Sequence, residues 1–180
     1  MARSAAEKTL RGTLVAEKLA ENNGEPVWLY VRSPKVAIAV DCPLTPHYTC
    51  GFFLFASTWS RDDLRGLIVA MLERGCVSMM FHGERCEEAH HLADDVFVNQ
   101  GFEKNFGGRE DTLMTTSMEG IDLIDAVFNL FCASPVSQGF VNSGYYVFSF
   151  GSADENAKLR LLLSDPRKTI RAAAERGALL

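Results

Sequence analysis

Four short strand-like runs alternate with amphipathic segments through the middle of this chain: "GFFLFAS" (51–57), "CVSMMF" (76–81), "TLMTTS" (112–117) and "YYVFSF" (145–150). A short run that is apolar at almost every position belongs to a strand covered on both faces, because a half-exposed strand would alternate. The intervening segments carry the helical period. In "TWSRDDLRGLIVAMLERG", Leu64, Leu67, Ile68, Met71 and Leu72 fall on one face. Ser60 and Asp63 form a capping-box-like start, and Gly75 stands as the stop. A second helix is expected from about Glu84 to Asp95, with Ala89, Leu92, Ala93 and Val96 continuing its buried stripe. A third lies in "MEGIDLIDAVFNLFCASP", where Ile124, Val127, Phe128 and Phe131 share a face and Pro135 closes it. Strands of this kind joined by helices imply right-handed crossovers and a parallel sheet. The expectation is a three-layer, Rossmann-like or flavodoxin-like α/β domain, with four core strands, possible edge strands and helical flanks.

Residues 3–21 have weak helical amphipathy, giving an N-terminal helix within 1–24. "VWLYV" (27–31) and "VAIAV" (36–40) suit a hairpin or edge strands, with Ser33-Pro34 at the turn. The tail, 153–180, reads as two helices broken at Asp165-Pro166. With 180 residues and no internal repeat or linker, the chain is expected to form one domain over 1–180, its core at about 51–150.

Composition narrows the partners. A formal charge of −5 with no dense basic stripe argues against nucleic acid. Arg160, Arg167, Lys168, Arg171 and Arg176 are interspersed with acids, as on a solvated helix face. No run approaches the ~20 apolar residues of a spanning helix, and the N-terminal stretch lacks a signal-type apolar core. The 5 cysteines are an odd count, three of them inside apolar periodic segments. All five read as reduced in a cytoplasmic protein, and the three in apolar segments as small core residues.

The stretch "MMFHGERCEEAHHLADDVF" (79–97) concentrates histidine and cysteine. His82, Cys86 and His90 are spaced four apart, so on one helix they would share a face and offer zinc three N/S ligands. The same spacing has a plainer reading. Cys86 lies three before Ala89 and joins the buried stripe, while His82 precedes Gly83 and ends a strand. The plainer reading is preferred, and no metal or other cofactor is expected. Cys42, His47 and Cys50 in "DCPLTPHYTC" match no zinc spacing.

Topology supplies another candidate, since open parallel sheets bind ligands at the carboxyl ends of their strands. There His82 could act as general base and Glu84 or Glu119 as acid, with Thr58, Arg85, Thr115, Thr116 and Ser117 as ligand contacts. Hydroxyls and acids at those positions are also ordinary helix caps. The dinucleotide, P-loop, nucleophile-elbow and HExxH motifs are absent from the sequence.

Two segments, "LERGCVSMMFHGERC" and "DTLMTTSMEGIDLIDAVF", resemble an uncharacterised bacterial domain family with G-C-x-x-M-M-x-W-G-x-x-C and M-T-T-W-H-E patterns. Gly75, Cys76, Met79, Met80, Gly83 and Cys86 fit the first, and Met114, Thr115, Thr116 and Glu119 fit the second. His82 replaces a tryptophan, and Ser117-Met118 replaces Trp-His. The likeness spans about 51–150 and implies a prokaryotic cytosolic α/β domain with residues 82–86 and 115–119 on a common surface. Two functional classes follow. One is a non-enzymatic protein-binding or accessory factor, of the immunity or defence-operon type that the resemblance suggests. The other is a hydrolase or nucleotide-type ligand binder using the strand ends. Self-assembly through the flanking helices is compatible with both.

Overall fold

The computed structural model describes residues 16–31, 47–55, 59–102, 113–132 and 141–177. In chain order these form β1 (Ala16–Asn22), β2 (Glu25–Val31), β3 (Tyr48–Leu54), α1 (Arg61–Glu73), β4 (Cys76–Gly83) and α2 (Cys86–Asn99). There follow β5 (Met114–Met118), α3 (Leu123–Cys132), β6 (Tyr145–Ser149), α4 (Ala153–Leu163) and α5 (Pro166–Glu175).

The strands make one six-stranded sheet in the order β1-β2-β6-β3-β4-β5. Every neighbouring pair is parallel except β1 with β2. Helices α1 and α2 cover one face; α3, α4 and α5 cover the other. The three-layer α/β architecture is therefore the one the alternating runs dictate. From β3 the chain steps outward through β4 to β5, and α3 then carries it back across the opposite face to β6. The neighbours β3 and β6 thus send their following helices to opposite faces.

A row of rings crosses the α1/α2 side. Tyr30 stacks on Phe148 at 4.8 Å, Phe148 on Phe52 at 5.4 Å, and Phe52 on Phe81 at 4.9 Å. These four residues are register partners on β2, β6, β3 and β4, and Ser117 of β5 is the next partner in the row. The rings stop where the edge strand begins and a hydroxyl replaces them. Buried aromatics that stack across strands add packing beyond their area, which ties the central strands together.

Residues 16–21 depart from the helical expectation for 3–21. They are strand, because Asn23 and Gly24 take φ values of 54° and 91°. Positive φ at both central residues is the two-residue hairpin turn, which Asn-Gly adopts readily. Val27 and Leu29 then have buried sites to fill on β2, while β1 carries Glu17, Lys18 and Glu21, charges that suit an exposed edge. The partner of 27–31 in the hairpin is accordingly 16–22, and β2 is interior, lying between β1 and β6. The segment 36–40 and the Ser33-Pro34 turn lie outside the described residues.

The caps follow the sequence closely. Ser60 Oγ accepts from the Asp63 amide, and Gly75 ends the α1 turn with φ 89°. Asp165 caps α5 through the Lys168 amide, with Pro166 at its first position. The second helix starts at Cys86 and not at Glu84, since Arg85 is left-handed at φ 56°.

Candidate functional site

At the carboxyl end of β4 the chain turns within two residues. Gly83 has φ 104°, and a Cβ there would stand 2.4 Å from the Leu54 carbonyl oxygen, so backbone meets backbone. The Glu84 amide closes this contact by donating to Leu54 O at 2.8 Å. His82 precedes the turn and is only 7% exposed. Its ring lies 5.5 Å from that of Phe53 and 6.3 Å from that of Phe55. Nδ1 sits 3.3 Å from the Met118 carbonyl oxygen. Burial pushes its pKa below the ordinary imidazole value, which favours the neutral ring.

Arg85 turns toward the opposite layer. Its guanidinium lies 4.3 Å from the centre of the Trp59 ring and donates twice to Glu88, each at 2.8 Å. A planar fork held by a carboxylate and an aromatic face is committed to the fold. Glu84 and Glu119 are exposed in turns. Cys86, the first residue of α2, is a buried core thiol; burial pushes its pKa up, partly offset by hydrogen bonding to the Met118 backbone.

Strand β5 divides its hydroxyls by alternation. Thr115 and Ser117 face α2, where Thr115 Oγ1 donates to Asp94 Oδ1 at 2.7 Å and Ser117 Oγ donates to Glu87 Oε2. Thr116 lies between them and points to the other face. His82 and Cys86 thus both abut Met118, but the residues expected to work together split between layers. Thr58 lies outside the described residues.

The carboxylates that hold β5 also meet histidines. Glu87 Oε1 is 3.5 Å from His91 Nε2, and Asp94 Oδ2 is 3.6 Å from His90 Nε2. Ligand atoms of Glu87, His90 and His91 lie within 4.8 Å of one another. Among the described residues this is the one cluster with metal-ligand spacing, and it shares only His90 with the set His82, Cys86 and His90. The strand-end turn explains the difference, since His82 belongs to β4 and not to the helix. Of the second set, Cys50 is a buried β3 residue, His47 is exposed, and Cys42 lies outside the described residues.

A groove between α3, α4 and α5 carries no local signal in the sequence. Two adjoining cavities of about 320 Å³ each share Ile124, Leu161 and Leu162. Leu161 is 74% exposed. On its rim Arg176 pairs with Asp122, and Asp165 is engaged as the α5 cap, while Lys158 and Lys168 contribute ammonium groups. Helix α4 is otherwise capped by its own side chains. The Glu155 carboxylate accepts from both the Ser152 amide and the Ser152 hydroxyl at 2.7 Å.

The chain belongs to a family described as a domain of unknown function (DUF7684), which matches residues 35–166. Hairpin β1–β2 and all of α5 beyond Pro166 fall outside the matched stretch. No curated protein matches the chain. No solved structure matches it.

Proposed function

We propose that this member of the family is a non-enzymatic binding protein of the bacterial cytosol, whose groove between α3, α4 and α5 receives an amphipathic helix of a protein partner. The groove carries the reading. It is apolar, it keeps Leu161 largely in water, and it lies on the face that β1 and α5 complete. A helix presenting apolar residues at i, i+3 and i+4 fits such a surface. With Asp122 and Asp165 engaged, Lys158 and Lys168 favour acidic residues flanking the apolar stripe. Free thiols at Cys76, Cys86 and Cys132 agree with a reducing compartment. An accessory role of the immunity or defence type is the one the sequence resemblance suggests.

The hydrolase or small-ligand reading has less support. At the switch point between β3 and β6, a Cβ on Gly151 would lie 2.7 Å from the Phe55 ring and 3.0 Å from Glu155 Cβ. Glu155 already occupies the α4 N-terminus, where an anionic ligand would bind. His82, Arg85, Thr115 and Ser117 have intramolecular partners.

The test is selection of displayed amphipathic peptides against the full chain, followed by titration of the winners into wild type and Leu161→Glu. Peptides with an apolar stripe and acidic flanks, weakened at least about tenfold by Leu161→Glu, support the reading. Failure to select any, or equal binding to both proteins, sinks it. A dimer by light scattering that Leu161→Glu dissolves would instead assign the groove to a second copy.

A further inference from the structure

We propose that Glu87, His90 and His91 form a surface site for a borderline divalent transition cation, Zn²⁺ being the reference case. Three observations converge on it. Ligand atoms of the three residues stand within 4.8 Å of one another on adjacent turns of α2. The Glu87–His91 contact is 3.5 Å, longer than a hydrogen bond normally spans. It is close to the edge of a zinc tetrahedron, because ligands at about 2.0–2.1 Å from the ion lie about 3.4 Å apart. Finally, neither ring nitrogen of His90 makes a hydrogen bond: Nδ1 is buried without a partner, and Nε2 faces Asp94 at 3.6 Å. Burying an imidazole nitrogen unpaired is costly, and ligation through Nδ1 would offset that cost.

The supporting shell is in place. Ser117 donates to Oε2 of Glu87, which leaves Oε1 as the oxygen turned toward His91. Fixing one carboxylate oxygen orients the other, as hydrogen bonds behind a ligand commonly do at metal sites. Thr115 fixes Asp94 in the same way, one turn beyond His90. Asp94 is not part of the ligand cluster, and its charge adds to the local negative potential. Two imidazoles and a carboxylate select zinc, cobalt, nickel or copper over the hard cations calcium and magnesium, which prefer oxygen. Three protein ligands leave coordination positions open, and His91, 68% exposed, keeps them accessible to water or to a donor on a partner. The site is separate from the groove, which lies in the opposite layer, and it does not rest on the protein-binding reading.

The experiment is calorimetric titration of the untagged, chelator-treated full chain with Zn²⁺, beside His91→Gln, Glu87→Gln and Cys132→Ser. His91 and Glu87 are exposed, so circular dichroism is expected to show native folding of both variants. The expected result is one ion per chain, bound at least about tenfold more weakly by His91→Gln and by Glu87→Gln and unchanged in Cys132→Ser. Co²⁺ should give a visible ligand-field spectrum without a thiolate charge-transfer band. No saturable binding by wild type, equal binding by His91→Gln, or loss of binding in Cys132→Ser would each overturn the assignment.

Discussion

Thr115 on the edge strand reaches across to Asp94 on α2 with a 2.7 Å hydrogen bond, two residues along β5 from where Ser117 holds Glu87. Two hydroxyls on one face of β5 therefore engage two carboxylates spaced two helical turns apart. Among the described residues β5 pairs with one strand, β4, so these contacts to α2 are a second support for it. Replacing Thr115 by Val keeps the shape and the strand preference and removes the donor. Urea unfolding of Thr115→Val should show a loss of about 1 kcal/mol. An unchanged midpoint would mean that solvent replaces the bond at no cost.

Two glycines with similar backbone angles should respond very differently to alanine. Gly24 has φ 91° and open space where a Cβ would go, so Gly24→Ala meets only conformational strain, about 1–2 kcal/mol. Gly83 has φ 104° and the Leu54 carbonyl oxygen 2.4 Å from the same point. That oxygen is backbone and already accepts from Glu84. Gly83→Ala should therefore cost on the order of 3 kcal/mol or more, or abolish folding. Paired denaturation curves decide it, and equal losses would remove the close approach as the cause.

What the sequence made legible here was periodicity, and what it concealed was direction. The apolar runs at 51–57, 76–81 and 145–150 and the stripe from Leu64 to Leu72 each carry their period openly, and the strands and α1 follow them. The Asn23-Gly24 hairpin was also written in the chain, but the mixed composition of 16–22 gives an edge strand no apolar stripe by which to announce itself. The three-residue set at 82, 86 and 90 failed for a different reason. Four-residue spacing has meaning only inside one helix, and the left-handed Arg85 separates His82 from α2. The spacings 87–91 and 90–94, wholly within α2, do translate into contacts. The α3–α4–α5 groove was invisible because its walls come from three helices whose mutual packing no local period encodes.

The aromatic row and the groove should separate structure from function by mutation. Phe52 is fully buried between Phe81 and Phe148, and Phe52→Ala leaves a cavity at the centre of the sheet. A loss of about 3–5 kcal/mol is expected. Leu161 is comparably apolar yet 74% exposed, so Leu161→Ala should change stability by no more than about 0.5 kcal/mol. Thermal melts of both variants test the contrast. A large loss in Leu161→Ala would make the residue part of the core and remove it as a docking contact.

His82 sets a pH dependence whose sign follows from its burial. Its pKa is lowered in the folded protein, first by desolvation among Phe53 and Phe55, with the Met118 carbonyl only partly opposing. The unfolded chain takes up the proton nearer the ordinary value of about 6.5. Below that pH the unfolded state binds more protons than the folded state, so protonation favours unfolding. Stability should be level above about pH 6.5 and decline as the pH falls from there toward the depressed folded value. Glu21 and Glu155, whose pKa values are lowered by Lys18 and by Ser152 respectively, act in a lower window. Their contribution is present above the unfolded carboxylate value, near 4.5, and is lost as pH falls further. The two effects are therefore separable on the pH axis. Urea midpoints measured between about pH 7 and pH 5 should decline for the wild type and stay flatter for His82→Leu, which keeps the apolar packing and removes the titrating ring. A wild-type decline that persists unchanged in His82→Leu would assign it to other groups.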